Sequence, residues 1–387
     1  MKDLSYIINQ LGEERENYYN AIAPPIMQTS NFCFKTVDEM RKALADEYST
    51  FLYSRGKNPT VDILTKKLAA LDGAEDCLVL NSGAAAIFAS VLANVKMGDH
   101  IVSVDKPYTW AQKMFNDILP RFGVTTTYID GRSMEDFERA ILPNTKVIYL
   151  ESPNSWDYAI QDLAAVAELA KAEGIITICD NSYCSPIYQR PIAFGIDICI
   201  QSATKYISGH SDTVAGVITG SKEMIEKIFR SEYLNIGSGI QPFNAWLLIR
   251  GLRTMPVRLE QISNSTRKIV NFLKLNEKIE AVIFPFDDSF PQYSLATKQM
   301  TGACGLLSFI LKAGNVLQIE KFCESLQHIM MAVSWGGHET LIIPRIVGME
   351  QDKFDEQNKE HRMVRLYVGL EDADHIIADL QQALEKI

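Results

Sequence analysis

The chain lacks any segment of about 18 uninterrupted apolar residues, so no membrane-spanning helix is expected among its 387 residues. Its opening stretch, MKDLSYIINQLGEERENYYN, has no apolar core ahead of a small-residue cleavage site, and no export signal is expected. Basic tracts are missing too. With a net charge of -10, a nucleic acid or an anionic membrane would have to bind against the general field, and neither partner is expected. Cysteine is sparse and unpaired in pattern: the seven stand at 33, 77, 179, 184, 199, 304 and 323, with no C-x-x-C spacing. That usage points to a reducing cytoplasm and to no structural metal. A dinucleotide fingerprint is absent as well. The nearest glycine pattern, GSGIQP at 237–242, lacks the third glycine and follows no strand, which argues against a nicotinamide dehydrogenase.

What the sequence does contain is alternation. VDILTKKLAAL sets Val61, Leu64, Leu68 and Leu71 at helical spacing, with Thr60 as candidate cap and Gly73 as terminator. Strands are then expected at CLVL (77–80), HIVSV (100–104), TTTYI (125–129), KVIYL (146–150), IITIC (175–179) and IDICI (196–200), separated by helical patterns such as QDLAAVAELAKAEG. Such an order implies crossover connections and a mainly parallel sheet covered by helices on both faces. From about Phe243 a long helical stretch leads to the runs GLLSFIL, IMMAVSW and MVRLYVG and a last helix, HIIADLQQALEKI, which indicates a smaller C-terminal α+β domain. The polar run EQDKFDEQNKEH, 350–361, is expected as an exposed connection.

In sheets of this kind ligands sit beyond the carboxyl ends of the strands. CLVL is followed by Ser82, Gly83 and Ala84, a strand-to-helix turn that favours an anion. HIVSV leads to Tyr108, IITIC to Asp180, and IDICI through Ser202 and Thr204 to Lys205. Each feature alone has a plain alternative: a helix cap, a packing aromatic, an Asx turn, a solvated lysine. Together they supply a phosphate cradle, a stacking partner, a carboxylate for a pyridine nitrogen and a Schiff-base lysine, which is the set pyridoxal 5'-phosphate requires. A lysine at a strand tip also loses hydration, which favours its neutral, nucleophilic form.

The chain resembles the Cys/Met metabolism group of pyridoxal-phosphate enzymes, which includes cystathionine β-lyase, cystathionine γ-synthase and methionine γ-lyase. The resemblance runs from about Tyr53 to the C-terminus. It rests on YSRGKNPT (53–60), NSGAAA (81–86), DNSYCSPIYQRP (180–191), SATKYISGHSD (202–212), RGLRTMPVRL (250–259), SWGGHETL (334–341) and RLYVGLED (365–372). It implies a fold type I transferase-like α/β architecture. The expected divisions are an N-terminal arm (1–52) contacting a neighbouring subunit, a cofactor domain (53–245) and a C-terminal domain (246–387). It implies that Lys205 carries the cofactor, Asp180 faces its ring nitrogen, Tyr108 stacks on the ring, and Ser82, Gly83, Ala84, Ser202 and Thr204 surround the phosphate. Tyr53 and Arg55 are implied to reach a neighbour's phosphate in a homotetramer built as a dimer of dimers with shared sites.

For the substrate, an arginine inside the otherwise apolar strand RMVRLYVG is costly unless an anion meets it. The resemblance makes Arg365 the partner of an amino-acid carboxylate, with Ser334 and Trp335 beside it. Three departures bear on the reaction: Ser155 in ESPNSW, where relatives often carry asparagine; Val333, where cystathionine γ-synthases and γ-lyases often carry glutamate but methionine γ-lyases also carry valine; and Trp335 in SWGG. They resemble bacterial cystathionine β-lyase. The expectation is therefore β-elimination of L-cystathionine to homocysteine, pyruvate and ammonia, the alternative being methionine γ-lyase or cystathionine γ-synthase/γ-lyase activity.

Overall fold

A computed structural model describes residues 3–387. They form two compact units. The first comprises the described residues through Pro153, with Ile160–Ser208 and Asp212–Arg253; the second comprises Asn154–Ala159, Gly209–Ser211 and Thr254–Ile387.

The first unit is built on seven strands: β1 Asp76–Leu80, β2 His100–Val104, β3 Thr125–Ile129, β4 Thr145–Glu151, β5 Ile176–Asp180, β6 Ile198–Ser202 and β7 Gly216–Gly220. Their order is β1-β7-β6-β5-β4-β2-β3. β7 runs antiparallel to both β1 and β6, and every other pairing is parallel. Successive residues serve opposite faces, as a pleated strand requires. On β4, Val147 and Tyr149 join a core with Ile87, Phe115 and Phe229, while Ile148 and Leu150 join another with Phe137, Leu163 and Val166. Both faces of β4 are thus buried, which explains why it and the inner strands beside it read as nearly continuous apolar runs, whereas the edge strand β3 is half-exposed.

The helix Pro59–Asp72 starts earlier than its apolar spacing suggested. Asn58, not Thr60, is the cap, its side chain accepting from the Thr60 N–H, with Pro59 at the first position. Gly73 ends it in the left-handed conformation at φ 72°.

The second unit carries a five-stranded sheet: β8 Ile279–Ile283, β9 Leu306–Leu311, β10 Met330–Met331, β11 Leu341–Pro344 and β12 Met363–Tyr367, in the order β10-β11-β12-β9-β8. The chain leaves the first unit within the 34-residue helix Pro242–Leu275. Of the run IMMAVSW only Met330–Met331 is strand. Ser334 and Gly336 adopt φ of 79° and 90°, which turn the backbone out of any extended path. The polar run after Met349 forms the short 3-10 turns Gln351–Lys353 and Lys359–Arg362. No helix among the described residues is long and apolar enough to cross a membrane.

Candidate active site

Because β7 is antiparallel to both neighbours, β1 points the same way as β6, β5, β4 and β2, and all five end on one edge. At that edge Leu80 and Ser202 both lie opposite Gly216, the first residue of β7. A Cβ at position 216 would stand 2.2 Å from the Ser82 carbonyl oxygen, so only glycine lets the tip of β1 close over β7. Ser82 then caps the ten-residue helix Gly83–Leu92, its Oγ accepting from the Ala85 N–H at 3.1 Å. The Gly83 and Ala84 N–H groups lie in the first turn, where no intrahelical acceptor exists. A Cβ on Gly83 would come within 3.2 Å of the Ser202 side chain, so the helix start and the end of β6 are in near contact.

Asp180 ends β5 and is buried. Burial raises its pKa; hydrogen bonds from the Ser182 side chain and backbone and the charge of Lys205 pull it back down. The Ser182 N–H donates to Asp180 Oδ1 at 2.9 Å, and Ser182 Oγ accepts from the Ser202 N–H at 2.6 Å. Lys205 sits in the turn after β6, its N–H donating to the Ser202 carbonyl at 3.1 Å. Tyr108 follows β2 and caps the helix Thr109–Lys113; its N–H donates to Glu151 Oε2 at the end of β4 at 2.5 Å. Desolvation, then the charges of Asp180 and Glu151, raise the Tyr108 pKa, so its phenol stays a proton donor at neutral pH.

Ser82, Gly83, Ala84, Tyr108, Asp180, Ser202 and Lys205 therefore share one edge, as expected. Thr204 is there too, but its hydroxyl donates to the Ala215 carbonyl at 3.2 Å and accepts from the Ala215 N–H at 3.0 Å. With its proton committed to Ala215, it would have to turn before donating to a phosphate. Tyr53 and Arg55 line a separate cavity whose wall residue Gly239 pairs with Leu80 at the end of β1. Both are exposed, and the cavity, of about 340 Å³, is also lined by Gln28, Gly237 and Gln241, none of the strand-end residues being among its walls. Two residues of the edge escaped the sequence reading. Glu151 is buried and anchors Tyr108, and Ser182 joins the acid to the lysine's strand.

These residues fit pyridoxal 5'-phosphate. A helix start with a close glycine approach suits a phosphate, and a desolvated carboxylate at Asp180 suits a protonated ring nitrogen.

In the second unit Arg365 lies in the middle of β12, opposite Ile343 of β11 and Ser308 of β9. Its guanidinium carbon stands 4.7 Å from the centre of the Trp156 ring, and Nη1 donates to the Ser155 carbonyl at 3.4 Å. Ser334 and Trp335 are half-buried, whereas Val333 is 75% exposed.

Residues 6–385 match the family model described as Cys/Met metabolism PLP-dependent enzyme. The L-methionine γ-lyase of Treponema denticola is 38% identical over 381 residues, covering 96% of this chain and 94% of that protein. The cystathionine γ-lyase of Bacillus subtilis is 34% identical over 372 residues, covering 95% of each. The crystal structure of metB from Corynebacterium glutamicum superposes with a TM-score of 0.91 at 32% identity, covering 100% of this chain and 98% of that one. The chain belongs to the Cys/Met metabolism PLP-dependent enzyme family, and it is a fold type I lyase whose cofactor is pyridoxal 5'-phosphate.

Proposed function

We propose that the protein catalyses α,γ-elimination from a sulfur amino acid, L-methionine first: L-methionine and water give methanethiol, 2-oxobutyrate and ammonia. The observation that carries this reading is the near full-length similarity to L-methionine γ-lyases, 38% identity to that of Treponema denticola and 36% to that of Porphyromonas gingivalis. It displaces the β-elimination expected from Ser155, Val333 and Trp335. The Ser155 backbone carbonyl accepts from Arg365, and the Val333 side chain is largely exposed.

In this reading Lys205 takes the α-proton and Arg365 holds the substrate carboxylate. The cofactor supplies a ring that withdraws electrons from Cα and makes its proton acidic. A γ-leaving group requires a second proton to move at Cβ before the carbon–sulfur bond breaks. Lys205 serves that transfer as well, and the Tyr108 phenol, kept protonated by partial desolvation and the charges of Asp180 and Glu151, delivers a proton to the departing sulfur. Asp180 holds the ring nitrogen's charge. Ser82, Gly83, Ala84 and Ser202 bind the phosphate, and Ser334 and Trp335 flank the substrate.

We further propose a homotetramer in which Tyr53 and Arg55 complete a neighbour's phosphate site. The exposed Tyr19, Ile22, Val37, Met40, Leu44 and Phe51 support an apolar interface along the N-terminal segment. A cystathionine γ-lyase is the second reading, favoured by the Bacillus subtilis relative. The test is to offer L-methionine, L-cystathionine, L-cysteine and O-acyl-homoserine separately and identify the keto acid. 2-Oxobutyrate from L-methionine supports the proposal; pyruvate from L-cystathionine as main product restores the β-lyase reading.

A further inference from the structure

Arg365 is one of two arginines on a single indole. The Arg345 guanidinium carbon lies 4.5 Å from the Trp156 ring centre and that of Arg365 lies 4.7 Å from it. Arg345 follows the last residue of β11, and Arg365 sits on the adjacent strand β12. An aromatic face attracts a cation through its quadrupole, with a strength that grows as water is excluded. The planar guanidinium also stacks well, so the contact sets its plane as well as its position.

The segment that carries Trp156 is itself tied to the rung of the sheet that holds Arg365. Ser308, directly opposite Arg365 on β9, donates through Oγ to the Trp156 carbonyl at 3.0 Å and pairs with the Tyr158 hydroxyl at 3.0 Å. Tyr158 is fully buried. Within the segment the Asn154 N–H donates to the Ala159 carbonyl at 3.0 Å, and the Ala159 N–H to Asp157 Oδ1 at 3.1 Å. A free loop would let the indole swing; this one is fastened at both its backbone and its neighbouring side chain.

We propose that Trp156 is a positioning residue that orients the Arg365 guanidinium for the substrate carboxylate, with Arg345 bracing the same indole. The proposal rests on the reading of Arg365 as the carboxylate's partner. Its action is on the arginine and reaches the substrate only through it.

The experiment uses the holoenzyme and two ligands without a sulfur leaving group: L-norleucine, and 1-aminopentane, the same skeleton without the carboxylate. Binding is followed by the change in cofactor absorbance, independently of turnover. Trp156→Ala should weaken L-norleucine by about two- to thirtyfold, the range of one cation–π contact, and leave 1-aminopentane unchanged. Trp156→Phe, which keeps an aromatic face, should recover most of the affinity. Arg345→Met, with Trp156 intact, should weaken L-norleucine to a smaller degree. In turnover the Trp156→Ala loss should fall on KM more than on kcat. Equal weakening of both ligands would reduce Trp156 to a structural role and overturn the proposal. So would wild-type affinity for L-norleucine in Trp156→Ala, or failure of the wild type to prefer the acid over the amine. If the wild type shows that preference but releases no 2-oxobutyrate, the proposed reaction fails while the positioning role stands.

Discussion

Ser182 and Ser202 join the tips of β5 and β6, the Ser202 N–H donating to Ser182 Oγ at 2.6 Å. The same serine holds Asp180 through its backbone N–H, and the Ser182 hydroxyl also favours the ionised carboxylate. One side chain thus links the strand that ends in the acid to the strand that leads to Lys205. Ser182→Ala removes the hydroxyl from both. Losing a hydrogen bond to a buried charge costs about 1.5–3 kcal/mol, so kcat/KM or cofactor affinity should drop by about ten- to a hundredfold. Because that bond lowers the Asp180 pKa, its loss should move the acid limb of the pH–rate profile to higher pH. An unmoved limb in a folded, cofactor-loaded variant would remove Ser182 from this role.

At the same edge, glycine has a steric duty at position 216. Gly216→Ala would push a methyl group to 2.2 Å from the Ser82 carbonyl oxygen, a backbone atom that cannot swing away, whereas Gly83→Ala meets the movable Ser202 side chain at 3.2 Å. Overpacking of this kind costs about 1–3 kcal/mol. The expected outcome is a lower melting temperature and poor cofactor retention for Gly216→Ala. Gly83→Ala should retain stability and lose mainly phosphate affinity. Cofactor content after dialysis and thermal melts read the two effects separately.

Sharing of sites between subunits has its own test. Arg55 is exposed on the wall of a cavity beside the end of β1, and in the proposed assembly it reaches the phosphate site of another copy. Arg55→Ala and Lys205→Ala should each be nearly inactive alone. Mixed under conditions that exchange subunits, they should regain up to about a quarter of wild-type activity: at most about half of the site-sharing pairs are hybrid, and each hybrid pair has one intact site of its two. Hybrids shown by mass spectrometry to form, yet inactive, would place Arg55 in its own subunit's chemistry.

Much of the first sheet was legible because strands buried on both faces are written as β-branched runs. His100–Val104, buried throughout, falls where the pattern placed it; so does Thr125–Ile129, which as the half-exposed edge strand was legible from its β-branched residues alone. β7 was not read. GVITG is bracketed by glycines whose spacing serves close contacts at each end, with Ser82 at Gly216 and Asp197 at Gly220, and it carries no alternation. The strand-end residues were visible because each follows an apolar run. Glu151 and Ser182 were not, since their roles depend on which strands are neighbours: β5 lies beside both β4 and β6. Trp156 was passed over for a related reason. The departure of ESPNSW from the relatives' pattern reads as a mark of substrate choice until β11 and β12 are seen to bring Arg345 and Arg365 to the Trp156 ring.

Outside the site, the buried carboxylate of Asp72 couples stability to pH. Asp72 ends the helix Pro59–Asp72 and is 1% exposed. It accepts from Gln201 Nε2 at 2.8 and 2.9 Å and from Thr219 Oγ1 at 2.8 Å. These donors and the charge of Arg190 favour the ionised form, but desolvation outweighs them and raises the pKa from 3.8 to about 7. Between about pH 4 and 7 the folded protein therefore holds a proton that the unfolded chain has released. Stability from this group is fully present below the unfolded value and is lost as pH rises through the folded one, with no slope from it above pH 7. The total is on the order of 4 kcal/mol. Asp72→Asn removes the titration and keeps one acceptor. On going from pH 5 to pH 8, denaturant unfolding should show stability falling less, or rising more, in the variant than in the wild type, since every other titrating group is common to both. The Asp72→Asn substitution should cost stability at pH 5 and little at pH 8, where the wild type carries a buried charge. Identical pH differences in the two proteins would mean that Asp72 titrates alike folded and unfolded, and that its three hydrogen bonds balance its burial.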